Sequence, residues 1–279
     1  DEAIRFIDDN SKRPFYLYLS LVTPHANNER SKALKNGAHV PDFGPYANKD
    51  WSDQDKGHAA MVSRLDHNVG RVLEALRQKK LDQNTLVIFT SDNGYFHGEH
   101  RFLAGKFHLY EAAVHVPLMI RGGPFTPGSV VEQATANVDL APTILDLAGV
   151  APPDLELDGR SLVPLFKGSR PADWRTSWYY RYYHDPGNHN TRAHYGLRTE
   201  TQKLICFWKT DQWEMYDLVQ DPAELHNLYY DPAHKKQAER LKAELYRLKK
   251  EVKDDDQYAV QQPPHDVSGV PAAKPKPKP

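Results

Sequence analysis

The feature that most constrains the fold is a helical period that gives way to an unbroken apolar run, which then stops at a polar turn. Met61, Leu65, Val69, Val72 and Leu76 recur at spacings of three and four, which predicts one amphipathic helix over residues 54–79. Residues 86–89 of "LDQNTLVIFTSD" are apolar without alternation, as in a strand covered on both faces. A helix feeding such a strand points to an α/β sheet sandwiched by helices. "PFYLYLSLV", opened by Pro14, has the length of a second strand in the middle of that sheet, and "VHVPLMIRGG" reads as a third. Residues 1–10 read as a helix end with Ile4 and Ile7 on one side, and residues 137–148 as a helix closed by Gly149.

The character changes after "APPDLELDG". "SWYYRYY", "AHYGLRT", "KLICFW" and "WEMYDL" are short bursts rich in Tyr, Trp and Thr, which predict small antiparallel strands. A helix carrying Leu241, Leu245, Leu248 and Val252 follows, and then a Pro- and Lys-rich segment expected to be disordered. The organisation expected is an α/β domain over 1–151, a small α+β subdomain over 152–253 and a tail over 254–279. A formal charge of −1 gives bulk electrostatics no pull toward nucleic acid or a membrane surface. No segment approaches the roughly 20 apolar residues of a membrane span. Cys206 is the single cysteine, so no intrachain disulfide forms, and one cysteine fits any redox compartment. The first residues lack an initiator Met and the features of a signal peptide, so the chain reads as a fragment.

Chemistry concentrates in "TLVIFTSDNGYFHGEHRFLAGKFHLYE". In open α/β sheets ligands gather where loops leave the carboxyl ends of strands, and Asp92 and Asn93 lie just past such an end. Asn-Gly also signals a hairpin turn, yet "YFHGEHRFLAGK" supplies no alternating second strand. A carboxylate and an amide carbonyl side by side suit a hard cation, Ca²⁺ or Mg²⁺, although calcium takes 6 to 8 ligands and more must come from elsewhere. Lys106, a surface lysine taken singly, becomes beside such a pair a clamp for a tetrahedral anion. His25, at the end of the strand "LSLVTPHANNE", is either a loop histidine or a donor to an anionic oxygen or a leaving group. His97, His100 and Arg101 sit in the loop where they could meet substrate or surround the metal. His108 is expected to cap or pack the following helix, and Asp66 to be a buried structural hydrogen-bonder.

Five stretches in this order, "PFYLYLSLVTPHA", "TLVIFTSDNGYFHGEH", "GKFHLYEAAVHVPLMIR", "VDLAPTILDLAGV" and "WEMYDLVQDPAELHNL", resemble the C-terminal two-thirds of a type I sulfatase, over roughly residues 1–248. The resemblance implies an alkaline-phosphatase-like α/β sandwich with a small C-terminal domain of antiparallel sheet and helix. It also implies a formylglycine nucleophile, made by a maturation enzyme from the Cys or Ser of a Cys-x-Pro-Ser-Arg motif, and one calcium that holds the sulfate. On that resemblance Asp92 and Asn93 fall on the second pair of metal ligands, Lys106 on a sulfate-contacting lysine and His25 on a histidine of the sulfate pocket. The expected compartment is periplasmic, secreted or lysosomal.

The sequence departs from the pattern in having no Cys-x-Pro-Ser-Arg; Cys206 lies in "LICFW" and reads as core. Without its covalent nucleophile a hydrolase loses the step that divides a difficult displacement. The 279 residues alone are therefore expected to have negligible sulfatase activity, and turnover of an aryl sulfate would overturn that. Two alternatives stay open: a phosphatase or phosphodiesterase of the same superfamily, and a non-catalytic binder of sulfated sugar. For the second, the aromatic cluster "SWYYRYYHDPGNHN" offers stacking faces, against its plainer reading as sheet core. Lys32, Lys35, His39 and Trp51 in the loop over 27–52 suit an anionic sugar, so the substrate expected is a sulfated carbohydrate.

Overall fold

A computed structural model describes residues 1–102, 105–123, 125–151, 156–168 and 171–258. The expected boundary at 151/152 touches residues outside this set, and most of the expected tail, 259–279, lies outside it too. The chain divides into two compact units: Asp1–Val87 with Arg121–Gly123, and Ile88–Ile120 with Pro124–Pro279.

The first unit holds three helices, α1 (Glu2–Asn10), α2 (Asn28–Leu34) and α3 (Asp53–Gln78). Asn27 starts α2, its Oδ1 accepting the Arg30 N–H at 2.9 Å, and Ser52 starts α3 by accepting the Asp55 N–H at 3.1 Å. Such caps satisfy N–H groups that the first turn leaves without partners. α3 buries Gly57, Ala60, Met61, Ala75 and Leu76, and ion pairs Arg71–Asp1 and Lys79–Asp8 join it to α1. Gly57 is needed where α3 meets the preceding loop, since a Cβ there would lie 2.4 Å from that of Ala38. Asp66 is a correction: it is exposed on α3, because the helical period turns it away from the Met61 and Leu76 face.

"PFYLYLSLV" is a second correction. The segment is extended, but no ladder includes it, and Tyr18 and Val22 are 79% and 78% exposed. A strand is completed by its neighbours' hydrogen bonds, and no neighbour pairs with this one among the described residues.

In chain order the strands begin with β1 (Val87–Thr90) and β2 (Leu118–Arg121), which pair as a two-stranded sheet. Three helices of the second unit are α4 (Glu111–Val114), α5 (Leu140–Ala148) and α6 (Val163–Phe166). The helix expected after Lys106 is thus only one turn long. Gly149, at φ +65°, closes α5 as the sequence suggests. The predicted bursts become β3 (Ser177–Tyr182), β4 (His194–Thr199), β5 (Gln202–Phe207) and β6 (Gln212–Asp217), an antiparallel sheet in sequential order. α7 (Lys235–Glu251) follows.

This sheet is buried on both faces, and the period of two sorts its residues. Leu204 and Cys206 of β5 pack with Leu197, Trp213 and Met215 against Leu241, Leu245 and Leu248 of α7. Ile205 and Phe207 turn the other way, onto Phe96, Leu109, Tyr110 and Ala113. Cys206 is core, as its sequence context suggests. The free edge of β6 is closed by Asn227, whose Oδ1 accepts the Met215 N–H (3.0 Å) and whose Nδ2 donates to Trp213 O (2.9 Å). Beyond α7, Asp254 and Asp256 accept hydrogen bonds from Arg181 at 2.6 and 2.5 Å, so chain order reaches past residue 253.

Candidate active site

The turn after β1 is built from its own side chains. Asp92 Oδ1 accepts the Asn93 N–H (3.0 Å), Ser91 Oγ donates to Asn93 O (2.8 Å) and Asn93 Nδ2 donates to Gly94 O (2.8 Å). Asn137 Nδ2 holds it from outside by donating to Ser91 O at 3.0 Å. These bonds occupy one carboxylate oxygen and the amide nitrogen. Asp92 Oδ2 and Asn93 Oδ1 serve no hydrogen bond among the described residues, which is the donor set a hard cation takes. No cluster of three or more His, Cys, Asp or Glu side chains suited to a metal occurs among the described residues. The pair therefore fits a cation as part of a ligand set and does not complete one.

Gly94 seats this turn on α4. Its N–H donates to Ala113 O at 2.8 Å, and a Cβ would stand 2.1 Å from Ala112 O. Two residues on, the Phe96 N–H donates to Gly105 O at 3.1 Å. The segment that follows the Asp92–Asn93 turn is thus fastened to α4 at one point and to the loop that carries Lys106 at another. Lys106 is half-buried and has no ion-pair partner among the described residues.

His100 and Arg101 take left-handed backbone at φ +52° and +63°, a conformation that costs non-glycine residues of order 1 kcal/mol each. The His100 ring stacks on Tyr110, centroids 3.9 Å apart, and burial lowers its pKa. Arg101 and His97 are exposed. His108 packs rather than caps, stacked on Phe102 at 4.6 Å and on His194 at 5.6 Å. Burial among these rings holds both His108 and His194 neutral, each pushed down to about 4. His25 belongs to the first unit. Its Nδ1 donates to Ala26 O at 2.7 Å, since a carbonyl can only accept, and this leaves Nε2 as the open ring nitrogen.

Other residues of the second unit also close around the Lys106 loop. Tyr180 donates to Phe107 O at 2.8 Å. His189 lies beside Gly105, where a Cβ would come within 3.7 Å of the histidine's own, and its ring stacks on Phe107 at 6.0 Å. His189 and Asn190 repeat the left-handed pairing, at φ +55° and +58°, and both are exposed. Tyr180 and His189 both belong to the stretch "SWYYRYYHDPGNHN". Arg198 grips Glu111 with two bonds, 2.8 and 2.9 Å, while Lys203, fully buried, reaches Glu111 at 2.9 Å and Glu224 at 2.5 Å.

The family pattern described as "Sulfatase" matches residues 1–150. The chain belongs to the sulfatase family. A second pattern, "N-sulphoglucosamine sulphohydrolase, C-terminal", matches residues 98–251. Among characterised sulfatases, N-acetylglucosamine-6-O-sulfatase of Bacteroides thetaiotaomicron is 40% identical over 205 residues, covering 72% of this chain and 36% of that protein. A protein solved in complex with its substrate, D-glucosamine-2-N,6-O-disulfate, superposes with a TM-score of 0.68 at 39% identity, covering 73% of this chain and 42% of the other. Phosphonate monoester hydrolase of Agrobacterium radiobacter superposes at 0.63 with 28% identity, covering 74% and 44%. The chain thus spans less than half the length of each of these relatives. The alkaline-phosphatase-like sulfatase resemblance carried by the five motifs is borne out over both patterns, and the mixed α/β architecture agrees with it.

Proposed function

We propose that this chain supplies one half of the cation and sulfate machinery of a sulfuric ester hydrolase acting on a sulfated amino sugar. The observation that carries the reading is the Asp92–Asn93 turn, whose internal bonds leave two oxygens free beside a pinned lysine loop, in a chain of the sulfatase family. Asp92 and Asn93 would hold a hard divalent cation, Ca²⁺ or Mg²⁺, together with ligands from elsewhere. Such an ion would supply positive charge to the sulfate oxygens and lower the pKa of an attacking hydroxyl; the nucleophile assigned by family resemblance is a formylglycine. Lys106 neutralises charge that grows on the same oxygens. His25, its Nδ1 tied to Ala26 O, keeps Nε2 as a ring nitrogen able to give or take a proton. Arg101 and His97, exposed, serve substrate, and His189 offers a hydroxyl-reading group beside Gly105. His100, stacked on Tyr110, shapes that loop.

The test is an NMR titration of the chain with N-acetylglucosamine-6-sulfate in CaCl₂. Shifts at Asn93 and Lys106 are expected, with binding weakened about tenfold or more, ~1.4 kcal/mol, by Asp92→Asn or by Lys106→Ala. Absence of shifts, or variants that bind as the wild type does, would overturn the reading. A phosphonate monoester hydrolase is the second reading, favoured by the 28% identical structural relative. Both esters are tetrahedral monoanions, so phenyl methylphosphonate, a phosphonate monoester, competing better than the sulfated sugar would move the assignment to it.

A further inference from the structure

The Lys106 loop is anchored by every strand of the C-terminal sheet. Tyr180 of β3 holds Phe107 O, Arg198 of β4 and Lys203 of β5 hold the Glu111 carboxylate, and Glu214 of β6 accepts the Tyr110 hydroxyl at 2.7 Å. Glu224, nearly fully buried, completes the set by accepting the Glu111 N–H at 2.7 Å and the Lys203 ammonium at 2.5 Å. Arg198, Lys203, Glu111 and Glu224 form a group of two cations and two anions, with His115 Nδ1 3.6 Å from the Glu111 carboxylate at its edge. Burial pushes the Glu111 carboxyl up, but Arg198 and Lys203 overcome it and hold it at about 2. At Glu224 burial prevails and raises the pKa against the pull of Lys203.

A group of this kind is a poor device for stability alone, because desolvation cancels much of the attraction and apolar residues of equal volume often do as well. Its advantage is direction: bidentate and charge-assisted bonds fix where a carboxylate lies. Glu111 is the first residue of α4, Ala113 of α4 accepts the Gly94 N–H, and Gly94 follows Asn93. From charge cluster to candidate cation ligands the path is two hydrogen bonds and one turn of helix.

We propose that Arg198, Lys203 and Glu224 are positioning residues, acting through Glu111 to set the Asp92–Asn93 turn and the Lys106 loop in register with one another. The sheet that follows the catalytic motifs in sequence is thus the template on which half of the site is cast. The inference rests on the functional reading above only for what the turn and the loop bind.

Two variants separate positioning from general support. Glu111→Gln keeps the shape and the backbone N–H but loses the charge; Arg198→Met keeps the apolar stem. Hydrogen exchange is read at Gly94 and Phe96, with the β4–β6 ladder amides as internal reference, beside binding of N-acetylglucosamine-6-sulfate. Exchange at Gly94 and Phe96 is expected to speed up roughly tenfold or more while the ladder stays protected, and sugar-sulfate binding is expected to weaken with it. Unchanged exchange at Gly94 would overturn the proposal. So would ladder amides that loosen in step with Gly94, or failure of both variants to fold, since the cluster would then hold the whole sheet rather than the loop. A wild-type chain that ignores the sugar sulfate would count against the functional reading and leave the exchange result to decide the positioning.

Discussion

Residues 14–22 and strand β5 are both apolar runs of the kind that build sheet cores, yet they end in opposite circumstances. β5 pairs with β4 and β6, its immediate neighbours in sequence, and is buried on both faces. The 14–22 segment keeps an extended backbone but has no ladder among the described residues, and it exposes Tyr16, Tyr18, Leu19, Leu21 and Val22. Composition selects extended backbone in both, and partners alone decide which becomes a strand. Antiparallel hairpins bring their partner with them, whereas a strand of a doubly covered sheet depends on chain far away.

The comparison can be broken most strongly with acid. His108 and His194 sit among Phe96, Phe102, Tyr180, Tyr182 and Phe207, and each is pushed down to about 4 by burial. Their unfolded value is about 6.5, so the stability they confer is whole above that pH and is lost as pH falls from 6.5 through about 4. At roughly 1.4 kcal/mol per unit for each group, the second unit should lose several kcal/mol by pH 4. Urea melts followed by near-UV circular dichroism across this range check it; a flat profile contradicts the neutral stack.

Next in size is Lys203→Met, which leaves the buried Glu224 carboxylate without its cation while Arg198 still holds Glu111. It should cost about 3–5 kcal/mol, whereas Arg71→Ala, at an exposed pair of the first unit, should cost under about 1 kcal/mol; equal losses in denaturant melts would erase the contrast. Gly94→Ala drives a methyl into Ala112 O and should cost about 1–3 kcal/mol, with the displacement visible as NMR shift changes at residues 92–96. Smallest of all, Tyr18→Thr should move stability by no more than about 0.5 kcal/mol while lowering self-association in sedimentation velocity. A large loss of stability would mean that residue 18 is packed after all.

Much of this was written in the sequence. The 3.6 period over α3, the four aromatic bursts, Gly149 and the leucines of α7 each became the element their pattern predicts, because local propensity and burial agree there. Asp92, Asn93 and Lys106 were legible as candidates only, because polar residues behind an apolar strand have few structural uses. Arg198, Lys203 and Glu224 were not, since nothing in "LRT", "QKL" or "AEL" shows that three charges converge on Glu111, which lies 87 residues before Arg198 in sequence. Their meaning depends on contact, as does the fate of residues 14–22. Asp66 was misplaced for a simpler reason: its position on the helical wheel was outweighed by its neighbours' composition.

A calcium titration of isotopically labelled protein in a non-coordinating buffer bears most directly on the claim that the turn after β1 offers its spare oxygens to a hard cation. Saturable shifts are expected at the Asn93 side-chain amide and the backbone of residues 92–94, and they should vanish in Asp92→Ala. Shifts scattered over the acidic surface, with residues 92–94 unmoved, would contradict it.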